Sequence, residues 1–352
     1  MTKTSNYLSL VPLFQKFISE TVSGKRLQKN GKMVAASTVQ NYKALLVNIQ
    51  KFQEINNISV EINVRYRYSK RSFEKEKRYY KRFYKQFTDF LYAKKCTDNY
   101  VGMLIKTLRS FFIYLNETKG YETGSFYKLF YARREETPVI VISREQLQFL
   151  IEDSAFEHAL PRHLKQSKDM LVLGCTIGLR FSDIVNLKPR NLEAVSGKYY
   201  IVTKSKKTDT ATRIKLPEYA VSIIKKYKGH HKTLLPAITL MQFNSNIKKI
   251  AYMAGWTHEI VKERSKRGIK KEVKKDGKPY RFCDIISSHI MRRTAISTLL
   301  ILGMPEPLVR KISGHAANSK EFYKYVRYSE SFLDHETDKA FGKLTQYGNN
   351  AV

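Results

Sequence analysis

The sequence predicts a two-domain, mainly α protein with one small antiparallel β-sheet. Three observations lead there. Apolar residues recur at helical spacing through most of the chain, as in Val39, Tyr42, Leu45, Leu46, Ile49 and Phe52. The period drops to two only where Lys198 to Thr203 and Thr212 to Leu216 alternate like strands about the Lys-rich turn Lys204 to Ala211. The short polar stretch Tyr131 to Pro138 reads as a linker, and 352 residues suit two bodies that each bury their own core.

In chain order, the first 25 residues form a helix with Leu10, Phe14 and Phe17 near one face, ended by Ser19 to Gly24. Asn30-Gly31 between short strand-like runs signals a tight hairpin turn, and Ser37 is placed to cap the next helix. From Arg65 to Lys85 there are ten basic and two acidic residues, interleaved with Tyr66, Tyr68, Phe73, Tyr79, Tyr80, Phe83 and Tyr84. This stretch is either a solvated basic face backed by core aromatics or a surface that tracks a phosphate backbone, and the two are compatible. Its candidate phosphate contacts are Arg71, Arg78, Lys81, Arg82 and Lys85, joined by Lys204 and Lys206 on the later Lys-rich turn. A helix from Asn99 to Leu115, with Val101, Leu104, Leu108, Phe111 and Phe112 as its stripe, completes the first domain.

The expected division is an N-terminal segment 1–34 that serves either as an arm or as part of the first domain, a helical domain 35–132, a linker 133–138, a second domain 139–328 and a tail 329–352. In the second domain, Ser143 with Gln146 makes a capping box for a helix running through Ile151. Lys168 to Thr176 is a helix ended by Gly178, and Ser182 is placed to cap the next, Asp183 to Leu187. The basic stretch Lys262 to Tyr280 is a mobile loop or a hairpin about Asp276-Gly277. Phe332, Leu333, Phe341 and Leu344 give the tail an apolar stripe, for packing in cis or on a neighbouring protomer.

Sixty-four Lys and Arg against 31 Asp and Glu give a net charge of +33. With 42% apolar and 12% aromatic residues the chain is no disordered polycation, so the charge sits on folded surfaces and favours a polyanion, nucleic acid ahead of an anionic membrane. Residues 198 to 281 hold 22 basic and 6 acidic residues, about half the excess in under a quarter of the chain. No apolar run approaches the roughly 18 residues that span a bilayer, and no signal-peptide core follows Met1, so a cytoplasmic, nucleoid-associated protein is expected. Cys96, Cys175 and Cys283 are odd in number and far apart, which supports neither a disulfide framework nor a zinc site.

The chemistry-bearing residues come in a fixed order. Gly178-Leu179-Arg180-Phe181-Ser182-Asp183 sets Arg180 at a helix junction. Then follow the strand pair, Ser287-Ser288-His289-Ile290-Met291-Arg292-Arg293-Thr294, Ser313-Gly314-His315 and Phe322-Tyr323-Lys324-Tyr325. His289 and Arg292, three apart on a helix, share a face. Each piece is weak alone; the order and separations together resemble the tyrosine recombinases, the phage-type integrases that break and rejoin DNA. The likeness covers about residues 35 to 345 and is strongest to the integrases of integrative and conjugative elements and prophages.

The resemblance implies a helical, SAM-like core-binding domain before a mixed α+β catalytic domain, and a role for each matched residue. Arg180 and Arg292 correspond to the family's two arginines, whose paired donors suit the non-bridging oxygens of a scissile phosphate. His289 corresponds to the first family histidine, suited to moving the nucleophile's proton or donating to the phosphate, His315 to the position where the family carries a second His or a Trp that donates to the phosphate, and Asp183 to an acidic residue that buttresses the cluster or caps its helix. The family's leaving-group lysine lies on the hairpin turn; Lys207, followed by Thr208 and by Ile214-Lys215-Leu216-Pro217, fits best, with Lys204 and Lys206 as alternatives because the separation is slightly long. Tyr323, Tyr325 and Tyr328 compete for the nucleophile, and the Phe-x-x-Tyr pattern from Phe322 selects Tyr325, one residue further from His315 than is usual.

The resemblance further implies a 3′-phosphotyrosyl intermediate, no metal and no other cofactor, and double-stranded DNA as partner. It implies a monomer that becomes a homotetramer in the synaptic complex, with room for accessory DNA-bending proteins. Two alternatives share parts of this logic: a type IB topoisomerase, and a binding-only protein.

Overall fold

The computed structural model describes residues 6–204, 211–316 and 319–347. The chain forms two compact units, the first Met1–Thr137 with Lys262–Val273, the second Pro138–Val261 with Lys274–Val352. The described part is mainly helical with small antiparallel sheets, as its periodicity predicts. Among the described residues no helix is long and apolar enough to cross a membrane.

The first unit opens with β1 (Tyr7–Ser9) and α1 (Leu10–Val22). Leu10, Phe14 and Phe17 of α1 are fully buried in one core with Leu45, Ile49 and Phe52 of α2 (Ala36–Asn56). That helix starts one residue before the expected Ser37 cap, because the backbone carbonyl of Ala35 accepts from Thr38 and Val39 without a side-chain cap. Beyond β2 (Glu61–Asn63), paired with β1, runs α3 (Lys70–Ala93), capped by Ser69. Tyr80, Phe83, Phe87 and Leu91 of α3 are buried against Phe52, Phe112 and Phe130, while Arg71, Arg78, Lys81, Arg82 and Lys85 are exposed. Aromatic rings thus anchor the helix whose other face carries the cations. Helix α4 (Asp98–Glu117) closes the bundle, with Phe111 edge-on to Phe14 at 4.8 Å.

The second unit begins with α5 (Arg144–Glu152), entered through the expected Ser143–Gln146 capping box. Helices α6 (Ser154–Ala159) and α7 (Arg162–Ile177) follow, then the single turn α8 (Phe181–Ile184). A three-stranded antiparallel sheet comes next: β3 (Leu192–Val195), β4 (Lys198–Lys204) and β5 (Ala211–Lys215), with Ile201 opposite Ile214. Strand β3 is almost wholly exposed, so no alternation marks it in the sequence. The chain continues through α9 (Glu218–Tyr227), α10 (Leu240–Met253), β6 (Glu259–Ile260), β7 (Glu263–Lys266), β8 (Ile269–Glu272) and β9 (Tyr280–Arg281). It ends in α11 (Phe282–Ile285), α12 (His289–Ile301), α13 (Glu306–Ser313) and α14 (Tyr323–Tyr347). Helices α7 and α12 pack closely because Gly174 faces Met291 with no space for a β-carbon. Phe322 and Tyr325 of the last segment bury against Ile296 and Val309.

The β7–β8 hairpin turns at Arg267-Gly268, whose φ of +57° and +83° are those of the tightest hairpin turns. At Asp276-Gly277 only a single bridge, Lys275 to Lys278, forms. The hairpin belongs to the first unit, and its backbone explains why. Asp98, 2% exposed in the first turn of α4, accepts from the N–H of Arg267 at 2.8 Å and of Gly268 at 2.7 Å, and from the Tyr92 hydroxyl at 2.6 Å. The Glu135 carboxylate takes the N–H of Ser265, and Arg267 pairs with Asp89 at 2.8 Å over the Tyr92 ring.

Candidate active site

Helix α7 must stop where Arg180 begins its work. Gly178 ends it in the left-handed region, φ +65°, where a β-carbon would be strained and would also crowd Ala295 at 3.2 Å. The chain then extends, and Arg180 caps α8 by its carbonyl, which accepts from Asp183 at 2.8 Å and Ile184 at 3.0 Å. The expected cap at Ser182 therefore shifts two residues back, and α8 is a single turn. Asp183 is buried at its end.

Helix α12 opens at His289, which is exposed, and brings Arg292 in one turn later. Arg292 is only 2% exposed. Its Nη1 donates to the Gly178 carbonyl at 3.0 Å, and its Nη2 lies 3.1 and 3.2 Å from the Nδ1 and Nε2 of His315. Burial, and then the neighbouring Arg180 charge, push the Arg292 pKa down to about 10, opposed by Tyr325 and Asp183. Asp183 thus lies near enough for its charge to oppose that of Arg180 at Arg292.

His315 follows the left-handed Gly314, φ +61°, at the end of α13. Its backbone N–H donates to Arg310 at 3.0 Å, and its Nδ1 is 2.8 Å from Ser313 Oγ. Desolvation comes first, then the charges of Arg292, Arg180, Arg310 and His289, and together they lower its pKa to about 3. Burial and these charges thus favour the neutral imidazole.

Of the three competing tyrosines, Tyr325 is 6% exposed and Tyr323 is 47% exposed. The Tyr325 ring lies 6.1 Å from that of His315. Burial raises its pKa, while Arg293, Arg292 and Arg180 act in the opposite sense. Tyr328 is raised by burial alone, with no arginine acting on it. The site's positive field therefore reaches Tyr325 and passes Tyr328 by.

Arg180, Asp183, His289, Arg292, His315 and Tyr325 are thus brought together within the second unit. Lys204 ends β4, exposed, whereas Lys206 and Lys207 lie outside the described residues. Arg71, Arg78, Lys81, Arg82 and Lys85 belong to the first unit, as an exposed face of α3.

Sequence reasoning missed three contributors. The Gly178 carbonyl gives no signal, since a main-chain acceptor has no residue type. Arg310, almost buried, donates to Glu306 at 2.7 Å and to the Ala316 carbonyl at 3.1 Å, and its guanidinium stacks 4.0 Å from the Phe322 ring centroid. It ties the turn that carries His315 to the helix that carries Tyr325. Ser313 was signalled only by lying two residues before a site histidine.

The family model described as the phage integrase family matches residues 146–331, more than half of the chain. Among solved structures, a lambda integrase tetramer bound to a Holliday junction is 12% identical, covers 91% of this chain and 81% of that one, and superposes with a TM-score of 0.59. The Tn1549 transposon integrase in complex with circular intermediate DNA is 13% identical over 90% of this chain and 95% of that one, TM-score 0.56. The XerH site-specific recombinase bound to its palindromic difH substrate is 12% identical over 94% and 95%, TM-score 0.58. A search of curated protein sequences finds no match. At such identities the structures speak for the fold, and the family model speaks for descent: the chain belongs to the phage integrase family, the tyrosine-type site-specific recombinases.

Proposed function

We propose that this chain cuts and rejoins duplex DNA at defined sites through a phosphotyrosyl link on Tyr325, as the integrase of a mobile element. The observation that carries this reading is the buried Tyr325 phenol, set beside His315 in a field from Arg180, Arg292 and Arg293. A phenol of pKa about 10 is a poor nucleophile in water. Two guanidiniums that hold the non-bridging oxygens of a phosphate stabilise the charge that grows as Tyr325 attacks. Attack forms the bond from the tyrosine oxygen to phosphorus and releases the 5′ oxygen, which needs a proton. Lys207 is the assigned donor, on the strength of the resemblance, with Lys204 and Lys206 as alternatives.

The covalent link keeps the phosphodiester energy, so a 5′ hydroxyl from another strand reverses the step without a nucleotide cofactor. The cationic face of α3 serves the DNA backbone rather than the chemistry, because phosphate contacts position a protein without reading sequence. Assembly on DNA as a homotetramer is supported by the lambda integrase solved as a tetramer on a Holliday junction. A cytoplasmic, nucleoid-associated location and help from accessory bending proteins complete the reading.

The test is a nicked suicide substrate built from the DNA flanking the gene, run on a denaturing SDS gel. Wild-type protein is expected to give a protein–DNA adduct and Tyr325→Phe none. An adduct that persists in Tyr325→Phe overturns the assignment, and relaxation of plasmids without site preference favours the topoisomerase alternative.

A further inference from the structure

Arg310 is placed to do more than carry charge. A guanidinium taken almost wholly out of water, as this one is at 7% exposure, is tolerated only where its charge and its donors are met. Glu306, one turn earlier on α13, meets the charge and accepts from Nε at 2.7 Å. Further contacts lie ahead of the helix, on the chain that leads to the nucleophile. Nη1 donates to the Ala316 carbonyl at 3.1 Å, and the guanidinium carbon stands 4.0 Å from the centre of the Phe322 ring and 5.0 Å from that of Tyr323.

The main chain there is joined by bonds of short range. The Ala316 carbonyl also accepts from Ser319 at 3.0 Å, the Ser319 carbonyl from Phe322 at 3.0 Å and the Phe322 carbonyl from Tyr325 at 2.9 Å. Such bonds shape the local turns but do not say where those turns lie against α13, since each joins near neighbours. Arg310 reaches across from α13 at two places, by a hydrogen bond to Ala316 and by a stacked face on Phe322. Phe322 is fully buried against Val309 and Ile296, with its ring edge-on to that of Tyr325 at 6.1 Å. A shift of Phe322 therefore carries Tyr325 with it. The carbonyl of Arg310 also accepts the His315 N–H at 3.0 Å, so one residue is tied to the histidine and to the approach of the tyrosine.

We infer that Arg310 is a positioning residue for strand cleavage, whose guanidinium clasps Ala316 and Phe322 and thereby holds Tyr325 against the site. The inference rests on the function proposed above. It uses two properties of arginine, a flat face that stacks on a ring and several donors in fixed directions. A lysine keeps the charge but has neither. A purely electrostatic role, through the charge that Arg310 adds at His315, makes the opposite demand, because lysine would satisfy it.

Single-turnover cleavage of the suicide substrate and a gel-shift titration of the uncleaved site, both on full-length protein, separate the two. Arg310→Lys is expected to form the adduct about a hundredfold more slowly, the scale of a reacting group displaced by about 1 Å, with site binding within about threefold of wild type. Phe322→Leu should show the same split, and in the double variant the two losses should not multiply, because each breaks the same contact. Hydrogen exchange gives a readout independent of DNA: the amides of Phe322 and Tyr325 should exchange at least about tenfold faster in Arg310→Lys, with those of α12 unchanged. A wild-type cleavage rate in Arg310→Lys overturns the inference, as do equal losses of cleavage and binding, losses that multiply in the double variant, or unchanged exchange. If Arg310→Lys fails to fold, Glu306→Gln, which takes away the carboxylate that steadies the guanidinium, should show the same faster exchange and slower cleavage in smaller measure, and wild-type behaviour there overturns the inference. A wild-type chain that forms no adduct on any duplex overturns the proposed function, and the clasp is then judged by exchange alone.

Discussion

Arg292 gives one arm of its guanidinium to the main chain: Nη1 donates to the carbonyl of Gly178 at 3.0 Å. That bond pins α12 to the turn that presents Arg180, while Nη2 faces the His315 ring, and in the proposed function the same guanidinium also holds the phosphate. A lysine here has one point charge, which can serve the carbonyl or the phosphate but not both in fixed geometry. Arg292→Lys is therefore expected to slow adduct formation by about 10²- to 10³-fold, the cost of one lost transition-state donor, while site binding weakens less than about tenfold. Single-turnover cleavage beside a gel-shift titration separates the two. Equal losses in both would mean that Arg292 serves binding rather than the transition state.

The tyrosine assignment makes a sharper contrast. Tyr325 packs with Phe322, Ile296 and Val309, so a phenylalanine fits its place without a cavity, and Tyr323 stands largely in solvent. Tyr325→Phe should lose the adduct completely and change stability by less than about 1 kcal/mol, the worth of a single hydroxyl. Tyr323→Phe and Tyr328→Phe should keep it. Loss of the adduct in Tyr323→Phe, with Tyr325→Phe still reactive, would move the nucleophile two residues.

Where the sequence is explicit and where it is silent has a physical basis. Helices such as α3 and α4 bury one face, so their apolar spacing is imposed by the core and can be read directly. The capping box at Ser143 is equally legible, since both partners are side chains within one turn. The α8 start is displaced from Ser182 because Arg180 caps it through a carbonyl, which every residue has. Arg267-Gly268 and Asp276-Gly277 both form tight turns, but the first carries the longer ladder, and it is the one held by Asp98, some 170 residues earlier in the chain. The site residues were legible as an ordered pattern, but Ser313, Arg310 and the Gly178 carbonyl matter through geometry that no local spacing encodes.

The depressed His315 gives a pH signature. Its pKa is about 3 in the folded protein against an ordinary 6.5, so between these values the unfolded chain binds the extra proton. Stability then rises with pH, is complete above about 6.5 and is lost as pH falls toward 3. Glu157, whose Lys168 and Lys226 partners hold it down to about 2 against its burial, acts lower, its contribution fading only below about 4.5. The urea midpoint should therefore fall already between pH 6.5 and 4.5, and His315→Gln should flatten that part of the curve while leaving the steeper acid limb. An unchanged slope in His315→Gln would show that the histidine is not held neutral by the fold.

The hairpin of the first unit offers the most direct structural test. Two of its backbone N–H groups, those of Arg267 and Gly268, end on the single carboxylate of Asp98, a charged acceptor almost removed from water. Hydrogen bonds to such a group contribute about 1.5–3 kcal/mol each, so their loss lowers the free energy of local opening by enough to expose the strand often. Asp98→Ala should make trypsin cut at Lys270 and Lys271 at least about tenfold faster under native conditions, with early fragments that map to this hairpin by mass. The neighbouring ion pair of Arg267 with Asp89 is roughly half exposed on both sides, and exposed pairs contribute little. Asp89→Ala should accordingly cut at nearly the wild-type rate. If the two variants are digested alike, the buried carboxylate is not what holds the hairpin, and the Glu135 contact to Ser265 becomes the anchor to test next.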